Sequence, residues 1–235
     1  MKSIFKSKKT LVICIALITA LLMLIVFPPL VFIGGKPHWT FSSEISMNQK
    51  ERNFTNKDVK ALKHMIWVKS VFMSGTQITD ISFLDRMHFV KNLTLVCSDD
   101  YPIYDLAPLS NCNKLERFLG SIPNITDLSS LKELIRLSFL QINISNSKIN
   151  DISDVKYLVN LEWFIVGGEN ITDISSLQYC TKLEHISLSG TTADTDYSVL
   201  FELPKLNYLA VDKGVLSENE IRTFKERGVH VYERE

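Results

Sequence analysis

Six aspartates, Asp80, Asp105, Asp127, Asp151, Asp173 and Asp196, recur at intervals of 22–25 residues. Most sit in one short phrase: ITDISFL at 78–84, NITDLSSL at 124–131, INDISDV at 149–155 and NITDISSL at 170–177. A carboxylate ladder of fixed spacing could gather Ca²⁺ ligands or supply a general acid and base. An Asp just ahead of Ile-Ser has another use. It accepts hydrogen bonds from the backbone N–H groups that follow, as an Asx-turn or an N-cap. Because each copy carries the same local companions, the phrase reads as punctuation, one turn written once per structural unit.

Other reactive side chains are sparse. His38, His64, His88, His185 and His230 do not cluster, and the chain has no G-x-S-x-G, H-E-x-x-H, P-loop or C-x-x-C motif. Cys112 and Cys180 fall on apolar positions of the repeat and read as small buried hydrophobes. Cys97, just past an expected strand, is the one candidate reactive or intermolecular thiol. No catalytic residue, metal ligand, cofactor or small-molecule substrate is predicted, and the protein is expected not to be an enzyme.

The elements that carry these residues follow from a second regularity. Downstream of each Asp, apolar residues keep offsets 0, 3, 6, 9 and 11: Leu131, Leu134, Leu137, Leu140 and Ile142, for example, or Leu177, Cys180, Leu183, Ile186 and Leu188. Projected upstream the pattern begins at Leu62, giving seven registered copies in which Gly120 is the one non-apolar position. Offsets 9 and 11 point to one side of a short strand. Offsets 0, 3 and 6 have the three-residue period of a 3₁₀ turn. A unit of this size cannot bury its own apolar face, so its neighbours must stack on it.

The pattern resembles the leucine-rich repeat, and most closely the 22-residue bacterial class of the internalins, in which I-x-D-I-S-x-L recurs. The usual Asn after the strand is replaced by Thr76, Ser98, Ser145 and Thr191. The resemblance implies an α/β repeat solenoid: a leucine-rich-repeat horseshoe with a concave parallel sheet, about seven repeats and helical caps. Internalins are surface adhesins, so it also implies binding of a protein or peptide partner.

Between the inward offsets, positions 8 and 10 alternate onto the concave face, where equal offsets form columns about 4.8 Å apart per rung. Offset 8 places Phe139, Trp163, His185 and Tyr208 on four consecutive rungs. Offset 10 contributes Phe72, Leu119 and Ile165. These seven residues are the expected partner-binding surface, since large aromatics with few lysines match the composition of binding hot spots. Ladders of this kind also stabilise neighbouring strands, by about 0.2–1 kcal/mol per pair.

The net charge is +0, but residues 1–35 hold four lysines and no acid, leaving a mildly acidic remainder and no electrostatic footprint for nucleic acid. Residues 11–33, LVICIALITALLMLIVFPPLVFI, contain no charge. That run is longer than the apolar core of a cleaved signal peptide and long enough for a membrane helix. Ile13 stands where a lipidation motif ahead of Cys14 would need a small residue. The expected organisation is a basic cytoplasmic flank at 1–10, a transmembrane signal anchor at 11–33, a linker at 34–53 and a repeat domain at 54–232. Its helical caps are expected at 54–66 and 217–232. Lysines on the N-terminal side keep that flank in the cytoplasm and place the repeats outside. The alternative is a structural or regulatory subunit of a membrane complex that uses the anchor helix itself.

Overall fold

A computed structural model describes residues 8–26, 30–33, 35–50, 53–145, 147 and 149–235. In chain order the main elements are helix α1 (Lys8–Val26), strands β1 (Leu30–Ile33), β2 (Lys36–Trp39) and β3 (Glu44–Asn48), and the one-turn helix α2 (Asn56–Val59). There follow β4 (Ser70–Thr76), β5 (Asn92–Cys97), β6 (Arg117–Ser121), β7 (Phe139–Asn143), β8 (Trp163–Ile171), β9 (His185–Thr191), β10 (Tyr208–Asp212), α3 (Glu218–Glu226) and β11 (His230–Arg234). Among the described residues, β3 to β11 form one nine-stranded sheet in strict chain order. The adjacent pairs are parallel.

A short 3₁₀ turn precedes each strand from β5 to β10, as at Ser129–Glu133 and Ser175–Tyr179. Its hydrogen bonds explain the three-residue period. Leu134 N donates to Leu131 O at 2.9 Å and Leu137 N to Leu134 O at 2.9 Å. The same ladder runs from Cys180 N to Leu177 O and from Leu183 N to Cys180 O. Offsets 0, 3 and 6 therefore lie one above another on the inner side, and offsets 9 and 11 meet them from the strand. The apolar residues at these offsets are all buried. The two apolar residues that flank each of the first five Asp, such as Ile78 with Ile81 and Ile171 with Ile174, are buried as well. The phrase thus supplies core as well as a turn.

Gly120 breaks the pattern for a steric reason. A Cβ there would lie 3.1 Å from the Phe118 ring and 3.2 Å from Ile122 Cδ1. The Phe118 ring and the Ile122 side chain together leave no ordinary room for a Cβ at this offset.

Both capping boxes are present in the structure. Thr55 N donates to Asp58 Oδ2 at 2.8 Å, and the Thr55 hydroxyl caps α2 in return. Ser217 and Glu220 make the same reciprocal pair ahead of α3, and Gly228 ends that helix at φ 80°. Such a capping box satisfies two orphan N–H groups at once.

The N-terminal third differs from expectation. The apolar run is not helical to residue 33: α1 ends at Val26, and Leu30–Ile33 is a strand paired antiparallel with β2. Val31 and Ile33 are buried with the α2 cap. The segment 34–53, expected as a linker, carries β2 and then β3, which adds a rung to the sheet against β4. Ile45 and Met47 occupy offsets 9 and 11, but offsets 0, 3 and 6 of that unit are Lys36, Trp39 and Ser42. Projection of the pattern fails there because the hairpin replaces the convex half. Among the described residues, no helix is long and apolar enough to cross a membrane.

A glycine contrast tests the stacking. Gly190 has φ 79°, and a Cβ on it would sit 1.8 Å from the Gly168 carbonyl oxygen of the preceding repeat. Gly214, with φ 80°, has open space around it. Gly214→Ala should cost about 1–2 kcal/mol, the ordinary left-handed penalty. Gly190→Ala should cost about 3 kcal/mol or more, because backbone must also move. Urea titrations of the two variants give the comparison, and equal midpoints would remove the close approach as the cause.

Candidate binding face

The aspartates act as turn caps. Oδ1 of Asp80, Asp127, Asp151, Asp173 and Asp196 accepts from the backbone N–H two residues on, at 2.7–2.9 Å. Asp105 does the same for Ala107 at 2.7 Å. The Ser129 hydroxyl adds a bond to Asp127 at 2.6 Å. These bonds, the serine hydroxyl first and its N–H second, hold Asp127, Asp173 and Asp196 below the usual carboxylate range. Asp105 and Asp127 also line a shallow cleft of about 240 Å³, but Lys132 lines it too and opposes a bound cation. Among the described residues, no group of His, Cys, Asp and Glu is arranged to hold a metal.

Cys97, Cys112 and Cys180 lie in the core or at its edge. Cys112 and Cys180 donate their thiols to the carbonyls of Leu84 and Val155 in the preceding repeat, at 3.6 and 3.3 Å. Burial pushes both thiols up to about 12. Cys97, the residue proposed as reactive, is half-buried, and desolvation raises it to about 11. A reactive thiol needs the opposite shift.

The offset-8 side chains are brought together by strand register. Arg117, Phe139, Trp163, His185, Tyr208 and His230 are successive partners across β6 to β11. Their rings make one continuous stack. The Arg117 guanidinium lies 4.0 Å from the Phe139 centroid. Phe139 and Trp163 are 6.1 Å apart at 28°, Trp163 and His185 3.6 Å apart at 6°. His185 and Tyr208 follow at 5.8 Å, then Tyr208 and His230 at 5.6 Å. Each ring uses its faces on its neighbours, so what it offers the open side of the sheet is an edge. Ring edges carry the positive rim of the aromatic quadrupole. Trp163 keeps 38% of its surface exposed. His185 Nδ1 is buried without a hydrogen-bond partner.

Leu119 and Ile165 stand beside this stack at offset 10, with Gln141 on the strand between them. Phe72 does not join them. It is 38% exposed on β4, paired with Ser46 and Thr94, and Thr94 separates it from Leu119. Ala210, expected at the surface, is 4% exposed. Arg234 on β11 reaches over β10 to Ser187 Oγ on β9 at 2.8 Å, and also donates to the Leu188 carbonyl. Its Nε lies 3.3 Å from Asp212 Oδ1. That guanidinium closes the C-terminal end of the face.

Arg117, at offset 8 of its repeat, and His230, both outside the seven expected residues, extend the stack at either end. A separate stack, Trp67 on Phe89 at 5.0 Å with Lys114 Nζ 4.2 Å from the Phe89 ring, lies in the loops ahead of the strands. All three residues share offset 5, a column visible in the repeat once that offset is compared.

Successive parallel strands, buried 3₁₀ turns and Asp-capped corners define a repeat solenoid whose fold is similar to that of leucine-rich-repeat structures. Solved structures agree. An internalin from Listeria monocytogenes, inlF, is 26% identical over 82% of this chain, with a TM-score of 0.65. This chain spans 53% of that protein, about half its length. Internalin C2 from the same organism matches 75% of this chain and 76% of its own at 18% identity and a TM-score of 0.56. A leucine-rich-repeat protein from Leptospira interrogans matches 73% of this chain and 50% of its own, at 15% identity and a TM-score of 0.50. No protein-family model matches the chain, and no curated protein matches it.

Two measurements check these assignments. Asp173→Ala should lower stability at pH 7 by about 1 kcal/mol, whereas Asp173→Asn, which keeps an acceptor oxygen, should lose less. Lowered carboxylate pKa values stabilise the fold above the unfolded-state value near 4 and cease to do so as pH falls through the folded-state values. The wild-type Tm should therefore be flat above about pH 5 and drop below about pH 4, with a shallower drop in Asp173→Asn. A thiol reagent at pH 8 should leave Cys112 and Cys180 unmodified until the chain unfolds, since a thiol titrating near 12 is about one part in ten thousand ionised. Peptide mapping of the labelled protein reads this directly.

Proposed function

We propose that this is a membrane-anchored, extracytoplasmic leucine-rich-repeat protein that binds a protein or peptide through the open face of its sheet. The observation that carries the reading is the continuous stack from Arg117 to His230, with Trp163 partly exposed in its middle. A rigid row of aromatics costs little ordering entropy on binding, and such residues dominate protein interfaces. The positive ring edges, with Arg117 at one end, suit the carbonyl and carboxylate oxygens of an extended peptide. Leu119 and Ile165 supply apolar contact beside them, and Gln141 and Ser187 supply hydrogen bonds. The half-length match to inlF supports a binding scaffold, with the partner left to experiment.

Anchoring rests on the uncharged run at 11–33 and the lysines before it. The helical part of that run, Leu11–Val26, is about 24 Å long, short of a hydrocarbon core of about 30 Å. Local bilayer thinning accommodates a mismatch of that size. The lysine flank on the cytoplasmic side places the sheet outside.

Residues 30–235, used as bait against cell-surface extract, test the binding face. The bait begins at Leu30 because Val31 and Ile33 belong to the core. The wild type should retain a partner that the Phe139, Trp163 and Tyr208 triple alanine variant loses. Trp163→Ala alone should weaken that binding roughly 30-fold, as for a hot spot of about 2 kcal/mol. Equal retention by a folded triple variant would move the interface to another surface.

A further inference from the structure

The hairpin that follows α1 has two unlike faces. Cross-strand pairing puts Leu30 opposite Trp39 and Phe32 opposite Pro37 on one side, and Val31 opposite His38 and Ile33 opposite Lys36 on the other. The second side packs inward, with Val31 5% and Ile33 1% exposed among the residues of the N-terminal cap. The first side faces away from the core. Leu30 is 40% exposed, Phe32 63% and Trp39 63%, Pro37 is exposed, and Phe41 just beyond is 66% exposed. That face contains no charged residue. Cross-strand partners directly opposite on a sheet are within contact distance, so the four residues make one continuous apolar surface.

Its place in the chain says what covers it. Leu30 comes four residues after Val26, the last residue of the apolar helix, so whatever solvent surrounds the end of that helix surrounds this hairpin. Tryptophan and phenylalanine beside a proline are at home where headgroups meet acyl chains, which is where aromatic belts form. The helical part of the apolar run also falls short of a full span, so the outer face of the hairpin supplies apolar surface just where the helix runs out.

We infer that the outer face of the hairpin, Leu30, Phe32, Pro37 and Trp39, is a lipid-interface foot that seats the repeat domain against the bilayer. This rests on the anchor reading given above. The inner face of the same hairpin is fixed to the solenoid core, so the domain stands on the membrane in one orientation instead of swinging on a tether. The sheet then presents its aromatic stack at a set angle to the membrane plane.

The full chain reconstituted in phosphatidylcholine vesicles tests this. Flotation in alkaline carbonate reads the anchor. The difference in emission between wild type and Trp39→Phe isolates Trp39 from Trp67 and Trp163, and the exchange of one aromatic for another at an exposed site preserves the fold. Chain-brominated lipids with bromine near the headgroup should remove roughly half of the Trp39 emission, deep bromines less, and aqueous iodide little, as for an interfacial indole. If the protein floats but iodide quenches Trp39 and brominated lipid does not, the foot is wrong while the anchor stands. If the protein floats and Trp39 is shielded from both quenchers, a second copy covers the face and the lipid proposal falls. If the protein does not float, the anchor fails and the foot fails with it.

Discussion

Parallel register between neighbouring repeats is the constraint on which the rest depends. No unit of about 23 residues closes a core alone, so each buries its offsets 0, 3, 6, 9 and 11 against the next. A slip of one residue would turn every buried strand residue outward. The one-to-one pairing from Glu44 to His230 satisfies the apolar pattern of the repeats and, as a by-product, aligns every outward offset into a column. The aromatic stack is a consequence of that alignment. A binding surface assembled this way is as rigid as the core beneath it, because the same strands carry both.

The corners make that register affordable in backbone terms. Each repeat leaves its strand, turns, and enters a 3₁₀ segment whose first N–H groups need partners. The aspartate two residues ahead supplies one, and the flanking apolar pair keeps the corner tied to the core. In each of these carboxylates Oδ1 is already directed at the backbone, so the recurring aspartates serve the turn. The two buried cysteines are also structural: their thiols bond carbonyls of the preceding repeat, a small link between units that a leucine could not make.

The N-terminal region solves a different problem. A solenoid end exposes the apolar inner face of its last unit and needs a cover. Here the cover is a half-repeat, β3 with its Ile45 and Met47, backed by a hairpin whose inner face carries Val31 and Ile33. The hairpin's other face stays apolar and open, and it begins four residues after the end of α1. One face of this hairpin caps the solenoid, and the foot inferred above would use the other.

The amino-acid sequence alone determined the repeat, its boundaries from β4 onward, both capping boxes, the capping role of the aspartates and the aromatic column from Phe139 to Tyr208. All of these are local or periodic, and a period read seven times leaves one consistent register. What the tertiary structure decided lies where the period stops. The rung at Glu44–Asn48 has only half a repeat, so its strand was hidden by Lys36 and Ser42 at two of its three missing convex positions. Leu30–Ile33 is as apolar as a membrane helix, and only the antiparallel pairing with Lys36–Trp39 makes it a strand. Ala210 is buried although its offset points outward, and Arg234 of β11 reaches across β10 to Ser187, the partner of Ala210 on β9. Cys97 sits at a strand end, but desolvation by its packing sets its thiol, and no spacing rule reports packing. Periodic burial is written into residue order; contacts between unlike segments depend on which surfaces remain after the periodic part has assembled.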